Sequence, residues 1–297
     1  MTELTRSVGS GDCSSITQEK AAYTVCQLYR ELNKRQKTEF LCRLSETDRV
    51  DLTNVRAAAE NIVAAQTVGS KIQEEIISSL SPSHHQTFRK IGQIRGGVKF
   101  LVDLRRDVLQ AIKTSDPKSS EYSALKTMNG NLRNLLSNWF SVGFLNLLQV
   151  TWDSPCSLVE KICDYEAVHP IVSWTDIKSR VGANRRCFVL THPSMPGEPV
   201  VILHVALTDG TIASSVDALV RGQVELSWGL DSNTENKQNC RAAIFYSVTS
   251  TQAGLAGIEL GQHLIKQAVT SLQSELPNIN AFSTLSPIPG FRSGWSS

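Results

Sequence analysis

The seven cysteines of this 297-residue chain, Cys13, Cys26, Cys42, Cys156, Cys163, Cys187 and Cys240, form no CxxC pair, which excludes a zinc ribbon and a thioredoxin-type dithiol. An odd, scattered set of thiols fits a reducing compartment. The sequence also lacks any uninterrupted apolar run near the roughly 20 residues that a membrane-spanning helix needs, so no membrane span is expected. Lys and Arg number 30 against 28 Asp and Glu, with no long basic block. Nucleic acid is therefore not an expected partner. The opening stretch MTELTRSVGSGDCSS has no apolar core of a secretory signal and carries Glu3 early, against an Arg-rich transit peptide. The final GFRSGWSS carries no SKL address. The expectation is a soluble, cytoplasmic protein. Walker A spacing and a GxGxxG fingerprint are absent too, and nothing calls for a metal or redox cofactor.

What is present divides near residue 141. From about Thr17 to Phe140 apolar residues recur three and four apart: Ala22, Val25, Cys26, Tyr29 and Leu32, then Val55, Ala59, Ile62 and Val63, then Ile72, Ile76 and Leu80. The pattern continues with Val98, Leu101, Val102, Arg105 and Val108, and with Leu132, Leu135, Leu136 and Trp139. This spacing predicts amphipathic helices, with Asp51 and Ser119 as caps and Ser81-Pro82-Ser83 and Gly96-Gly97 as punctuation. Beyond Val142, short runs rich in Val, Ile, Phe and Tyr (187–190, 200–207 and 242–248) predict central strands, with 230–238 as a polar surface loop. The fold class expected is α followed by α/β, a helical-bundle domain over 1–141 and a mixed domain over 142–297.

Two segments carry candidate chemistry. After the strand at 242–248, Gly254, Gly257 and Gly261 precede an amphipathic run of Leu264, Ile265, Ala268, Val269 and Leu272. A helix N-terminus presents unpaired N–H groups, and glycines remove the side chains that would keep a phosphate away from them. The same residues fit an ordinary glycine-containing helix start. Farther on, Pro287 and Pro289 should end a strand that begins at Ala281 and leave the Ser286 hydroxyl at its tip, where open α/β sheets place ligands. An isolated Ser-Pro also commonly starts a turn.

The stretch Ala256-Gly257-Ile258-Glu259-Leu260-Gly261 resembles the pyrophosphate turn of GNAT-type acyltransferase folds, Q/R-x-x-G-x-G/A, with Ala256 in the first position and Glu259 in place of the middle glycine. More text resembles the malonyl-CoA decarboxylase family: GGVKFLVDLRRD (96–107), LSNWFSVGFLNL (136–147), EAVHPIVSW (166–174), PGEPVVILHVALT (196–208), AAIFYSVTSTQAGLAGIELG (242–261) and FSTLSPIPGF (282–291). The resemblance implies an N-terminal helical domain that joins a homo-oligomer, homotetrameric in assembly, and a GNAT-type acyl-CoA-binding domain, incomplete at the C-terminus. It further implies a lyase of fatty-acid metabolism that converts malonyl-CoA to acetyl-CoA and CO2, with family members also mitochondrial or peroxisomal. The backbone of Ala256, Gly257, Ile258, Glu259, Leu260, Gly261 and Gln262 would bind the CoA pyrophosphate, and Ser286 would be the catalytic serine. The family's partner histidine has no counterpart among His84, His85, His169, His192, His204 and His263, all upstream of Ser286. Activity of this chain is accordingly expected to be low. His84 and His85 are expected in a loop of the helical domain and His204 inside a strand. The alternatives are an acyltransferase on the same fold and a non-catalytic subunit that associates with the full-length enzyme.

Overall fold

The computed structural model describes residues 5, 8, 14–47, 52–64, 83–210 and 237–285. The helix expected over Ile72, Ile76 and Leu80, the Asp51 cap and most of the loop at 230–238 lie outside the described residues. The chain packs as two compact units, Met1–Trp139 together with Ala253–Ile258, and Phe140–Gln252 together with Glu259–Ser297. Among the described residues no helix is long and apolar enough to cross a membrane.

The first unit is helical. Helix α1 (Ser15–Glu31) starts at Ser14, whose hydroxyl accepts from the Thr17 N–H, and buries Ala22, Val25, Cys26 and Tyr29. Helix α2 (Lys34–Thr47) opens on a reciprocal capping box: the Gln36 N–H donates to Asn33 Oδ1 at 3.0 Å and the Asn33 N–H to Gln36 Oε1 at 3.0 Å. Helix α3 covers Leu52–Ala64 and α4 covers Ser83–Gln93. His84 and His85 therefore lie in α4 and not in a loop. The helix opens at Ser83, so the two histidines fall in its first turn.

Helices α5 (Gly97–Thr114) and α6 (Ser120–Trp139) form the centre of this unit, α5 against α2, α4 and α6. The turn into α5 needs both glycines. Gly96 has φ +75°, and a Cβ on Gly97 would lie 1.7 Å from the Ile91 carbonyl oxygen. Ser119 caps α6 by accepting from the Tyr122 N–H. The apolar stripes of α5 and α6 pack against each other, with Leu101, Val108, Leu125, Met128, Leu132 and Leu136 buried, whereas in α3 Ala59 and Val63 of the expected stripe are exposed. Truncating one of these leucines to alanine would cost about 2–5 kcal/mol.

The second unit is a five-stranded sheet in the order β1 (Asn146–Val150), β2 (Arg185–Thr191), β3 (Pro199–Thr208), β4 (Ala242–Ser250) and β5 (Ala281–Thr284). The first four strands pair antiparallel, and β5 runs parallel to β4, reached through helix α9 (Gly261–Glu275). Two shorter helices, α7 (Cys156–Tyr165) and α8 (Trp174–Arg180), complete the unit. Strand β3 is buried along its whole length, which is why it reads as a continuous apolar run and not as an alternation. Cys187, Val189 and Ile202 pack with Leu158, Val159 and Ile162 of α7 and Ile177 of α8 on one face. Arg186, pointing to the other face, pairs with Glu275 of α9 at 2.6 Å.

Candidate functional site

Strand β4 delivers the chain to the glycine turn and is tied down where it leaves the sheet. The Thr251 N–H donates to the Val200 carbonyl at 3.2 Å, the Thr251 hydroxyl to the Pro199 and Val200 carbonyls, and the Gln252 side-chain amide to the Pro199 carbonyl at 3.2 Å. A 3-10 turn over Ala253–Leu255 then lies directly on α5. The approach is so close that a Cβ on Gly254 would sit 1.8 Å from the Val102 carbonyl oxygen. Gly257 adopts φ +78°, a left-handed conformation that L side chains avoid, and no atom approaches a Cβ there closer than 3.8 Å. Gly257 is therefore required by backbone shape, Gly254 by space.

Within Ala256–Gln262, the Ala256 N–H bonds to Ala253 O and the Ile258 N–H to Leu255 O. Ala256, Gly257, Glu259 and Gln262 are exposed, Ile258 and Gly261 half-buried, and Leu260 buried. Leu260 can thus contribute only backbone. It precedes α9 without a side-chain cap, and the first turn of α9 holds no acidic residue, so the orphan N–H groups of that turn and the positive end of the dipole are not neutralised from within the helix. A Cβ on Gly261 would make only an ordinary 3.6 Å contact with Val248 Cγ1. Packing therefore does not demand glycine at 261.

Ser286 lies outside the described residues; the strand that leads to it does not. Strand β5 pairs with β4 from Ala242↔Ala281 to Phe245↔Thr284, and the Leu285 N–H still donates to the Phe245 carbonyl at 2.8 Å. Ser286 is the next residue. Beyond Phe245, β4 runs on to Ser250 with no strand on that side among the described residues. Because the two strands are parallel, the C-terminal ends of β4 and β5 lie toward the same edge of the sheet. A bulge in the β3–β4 ladder, where His204 faces Ser247 but Val205 faces Phe245, sets Tyr246 as the extra residue at the point where β4 and β5 part.

Two sets of side chains escaped the sequence reading. The first is Arg105 of α5 and Arg133 of α6. Arg105 is 2% exposed and donates from Nη1 to Gly254 O at 2.6 Å, from Nη2 to Ala256 O at 2.9 Å and from Nε to Asn129 Oδ1 at 3.0 Å. Arg133 is exposed and donates from Nη2 to Gly257 O at 3.1 Å. Burial, and then the Arg133 charge, lower the pKa of Arg105. The signal was in view, since a cation standing in the apolar stripe of α5 must have a buried partner.

The second set centres on Glu166, at the end of α7, 5% exposed. Its Oε1 accepts from the Val168 and His169 N–H groups, each at 2.9 Å, and the Ser247 hydroxyl donates to Oε1 and Oε2 at 2.8 and 2.9 Å. His204 Nε2 lies 3.4 Å from Oε2. Burial pushes the Glu166 carboxyl up, but the approach of His204, the His169 N–H and the Ser247 hydroxyl outweigh it and bring the pKa down to about 2. Burial is the dominant influence on His204 and lowers its pKa, so its ring is neutral at pH 7. This is the packed strand histidine that the sequence suggested. Arg180, paired with Asp176 at 2.9 Å, donates to the His169 carbonyl at 2.7 Å and braces the same loop. The Glu166 carboxylate is occupied by these donors, whereas the buried His204 Nδ1 and Tyr246 hydroxyl have no hydrogen-bond partner among the described residues.

Residues 143–296 match the family description "Malonyl-CoA decarboxylase C-terminal domain" and residues 49–140 match "Malonyl-CoA decarboxylase N-terminal domain". Among curated proteins, the mitochondrial malonyl-CoA decarboxylase of Anser anser anser is 48% identical over 71% of this chain and 40% of its own length. That of Rattus norvegicus is 43% identical over 86% of this chain and 51% of its own. The chain thus spans about half the length, or less, of these relatives. Among solved structures, the Rhodopseudomonas palustris malonyl-CoA decarboxylase aligns with TM-score 0.84 at 30% identity, covering 98% of this chain and 67% of that one. The Agrobacterium vitis malonyl-CoA decarboxylase gives TM-score 0.84 at 27% identity, covering 99% and 67%. With both of its regions matched in order and its backbone shared with solved relatives, this chain belongs to the malonyl-CoA decarboxylase family.

Proposed function

We propose that this chain binds malonyl-CoA and serves its decarboxylation to acetyl-CoA and CO2. The observation that carries the reading is the parallel β4–β5 pair, whose ladder stops at Phe245 and Leu285 while β4 continues into a glycine turn and an uncapped helix start. The backbone of Ala256–Gln262 would take the diphosphate of the CoA. Ser286, next after the last ladder bond, would reach the thioester end.

The chemistry breaks the bond between the carboxylate and the methylene carbon. The electron pair of that bond moves into the thioester carbonyl as an enolate, CO2 departs, and a proton is then delivered to carbon. The thioester is the electron sink, so the protein supplies orientation, a hydrogen bond to the enolate oxygen and a proton donor. Ser286 is suited to the hydrogen bond. A histidine to share the proton work is harder to find. His84 contacts Asn131 at 3.2 Å, His192 packs on Phe140, and His169 and His204 flank Tyr246. His85 and His263 sit on α4 and α9. We therefore expect binding to exceed turnover in these 297 residues taken alone.

Titration of the purified chain with CoA and malonyl-CoA, followed by release of labelled CO2 from carboxyl-labelled malonyl-CoA, tests both parts. Saturable binding with slow CO2 release, abolished in S286A, is the expected result; absence of CoA binding would overturn the reading. The proposal extends to a homo-oligomer formed through the helical unit, where α1 exposes Ile16, Tyr23 and Leu28. Light scattering on the purified chain should report more than one copy, and a strictly monomeric chain would refute that part.

A further inference from the structure

Arg105 and Arg133 are out of balance with their surroundings. Among the described residues neither has a carboxylate within 4.0 Å. Their partners are instead three carbonyl oxygens of one short turn, Gly254, Ala256 and Gly257, and the Asn129 amide oxygen. Two like charges drawn to the same few residues, one of them buried, repel each other and carry a desolvation cost that hydrogen bonds to neutral carbonyls offset only in part. An anion at the turn would relieve both.

The bonds also set direction. In a trans peptide unit the carbonyl and the following N–H point opposite ways. Arg105, by holding the Ala256 carbonyl toward α5, turns the Gly257 N–H away from α5 and outward. That N–H is not used by the turn's own bonds, which run from Ala256 to Ala253 and from Ile258 to Leu255. Gly257 is exposed, has no Cβ, and has the Arg133 guanidinium beside it, with Cζ 3.8 Å from where a Cβ would stand.

We infer that Arg105 is a positioning residue for a diphosphate-binding backbone at Ala256–Gly257, and that Arg133 supplies the exposed positive charge that meets the same diphosphate. The inference rests on the CoA reading and deepens it by assigning recognition of the diphosphate to side chains of α5 and α6. The ligand class is a CoA thioester recognised through its diphosphate, and neither the acyl group nor the adenosine 3′-phosphate is required for this contact.

The test measures affinities of the full chain for CoA, 3′-dephospho-CoA and pantetheine, at low and high salt. The variants are R133A at an exposed site and R105K at a buried one. Loss of one charge-assisted contact should weaken CoA and dephospho-CoA alike by about tenfold or more, leave pantetheine unchanged, and flatten the salt dependence. R133K should recover part of the loss. Thermal melts identify a variant that misfolds; should R105K do so, N129A, which frees Arg105 Nε, takes its place with a smaller effect of the same pattern. If the wild-type chain fails to bind CoA, the CoA reading falls and this inference with it. If CoA binds and R133A binds it equally well, this inference alone is refuted. It is also refuted if R133A weakens pantetheine to the same degree, which marks a structural role, or weakens only ligands bearing the 3′-phosphate.

Discussion

Replacing Glu166 by Gln should make the acid stability of the fold visible in one residue. The carboxylate is 5% exposed and accepts two backbone N–H groups and the Ser247 hydroxyl. Its pKa is brought from an ordinary 4.5 to about 2. At about 1.4 kcal/mol for each tenfold change in proton affinity, that difference corresponds to about 3 kcal/mol of stability. The folded-state pKa is the lower one, so this stability is fully present above about pH 4.5 and is lost as pH falls toward 2. A glutamine keeps the shape but cannot accept at both oxygens, and it does not titrate. Urea unfolding followed by far-ultraviolet circular dichroism at pH 7, 5 and 3 would compare the two proteins. E166Q should be less stable by about 3 kcal/mol at pH 7, with the gap narrowing to roughly half at pH 3. A gap of that size that stays constant with pH would show that the loss is one of packing and not of a held carboxylate. A gap near zero at pH 7 would refute the reasoning altogether.

The other predictions concern the turn and the thiols. G254A must push the turn off α5, because its Cβ would meet the Val102 carbonyl at 1.8 Å; a loss of about 2 kcal/mol or more is expected, read as a lowered melting temperature together with weakened CoA binding. G257A meets no such obstacle but carries left-handed strain of about 1–2 kcal/mol, so CoA affinity should fall with a smaller drop in melting temperature than in G254A. Equal effects of the two variants on melting would contradict the distinction between space and backbone shape. In the native state an aromatic disulfide reagent should label exposed Cys156 rapidly and leave Cys187 untouched, since burial both shields the Cys187 thiol and drives its pKa far up. Prompt labelling of Cys187 without denaturant would be inconsistent with its place in the sheet.

The elements that the sequence announced are those with long, pure patterns. The apolar stripe of α5 and the unbroken run of β3 are legible because each reports one kind of burial along its full length. Strand β1 and helices α7 and α8 were not anticipated. The first is a five-residue edge strand with exposed Asn146 and Gln149, and the others are too short for a helical period to stand out. The placement of His84 and His85 failed because proline marks helix starts as well as helix ends. For the site, the glycine turn was visible in its residues, whereas the Arg105 and Glu166 clusters were not. They join residues 149 and 81 positions apart, held together by a close helix contact and by a bulged strand, and no local spacing records such meetings.

The excursion of Ala253–Ile258 onto α5 sets a limit on how the protein can be divided. A cut at the Trp139–Phe140 junction looks natural in a linear map, yet it removes from the helical unit a plug contributed by chain lying more than a hundred residues downstream. The helical fragment would be left with an open socket over Val102 and with the Arg105 guanidinium stripped of two of its three acceptors. Any chain that stops before residue 253 lacks the segment that covers Val102 and supplies two of the Arg105 acceptors.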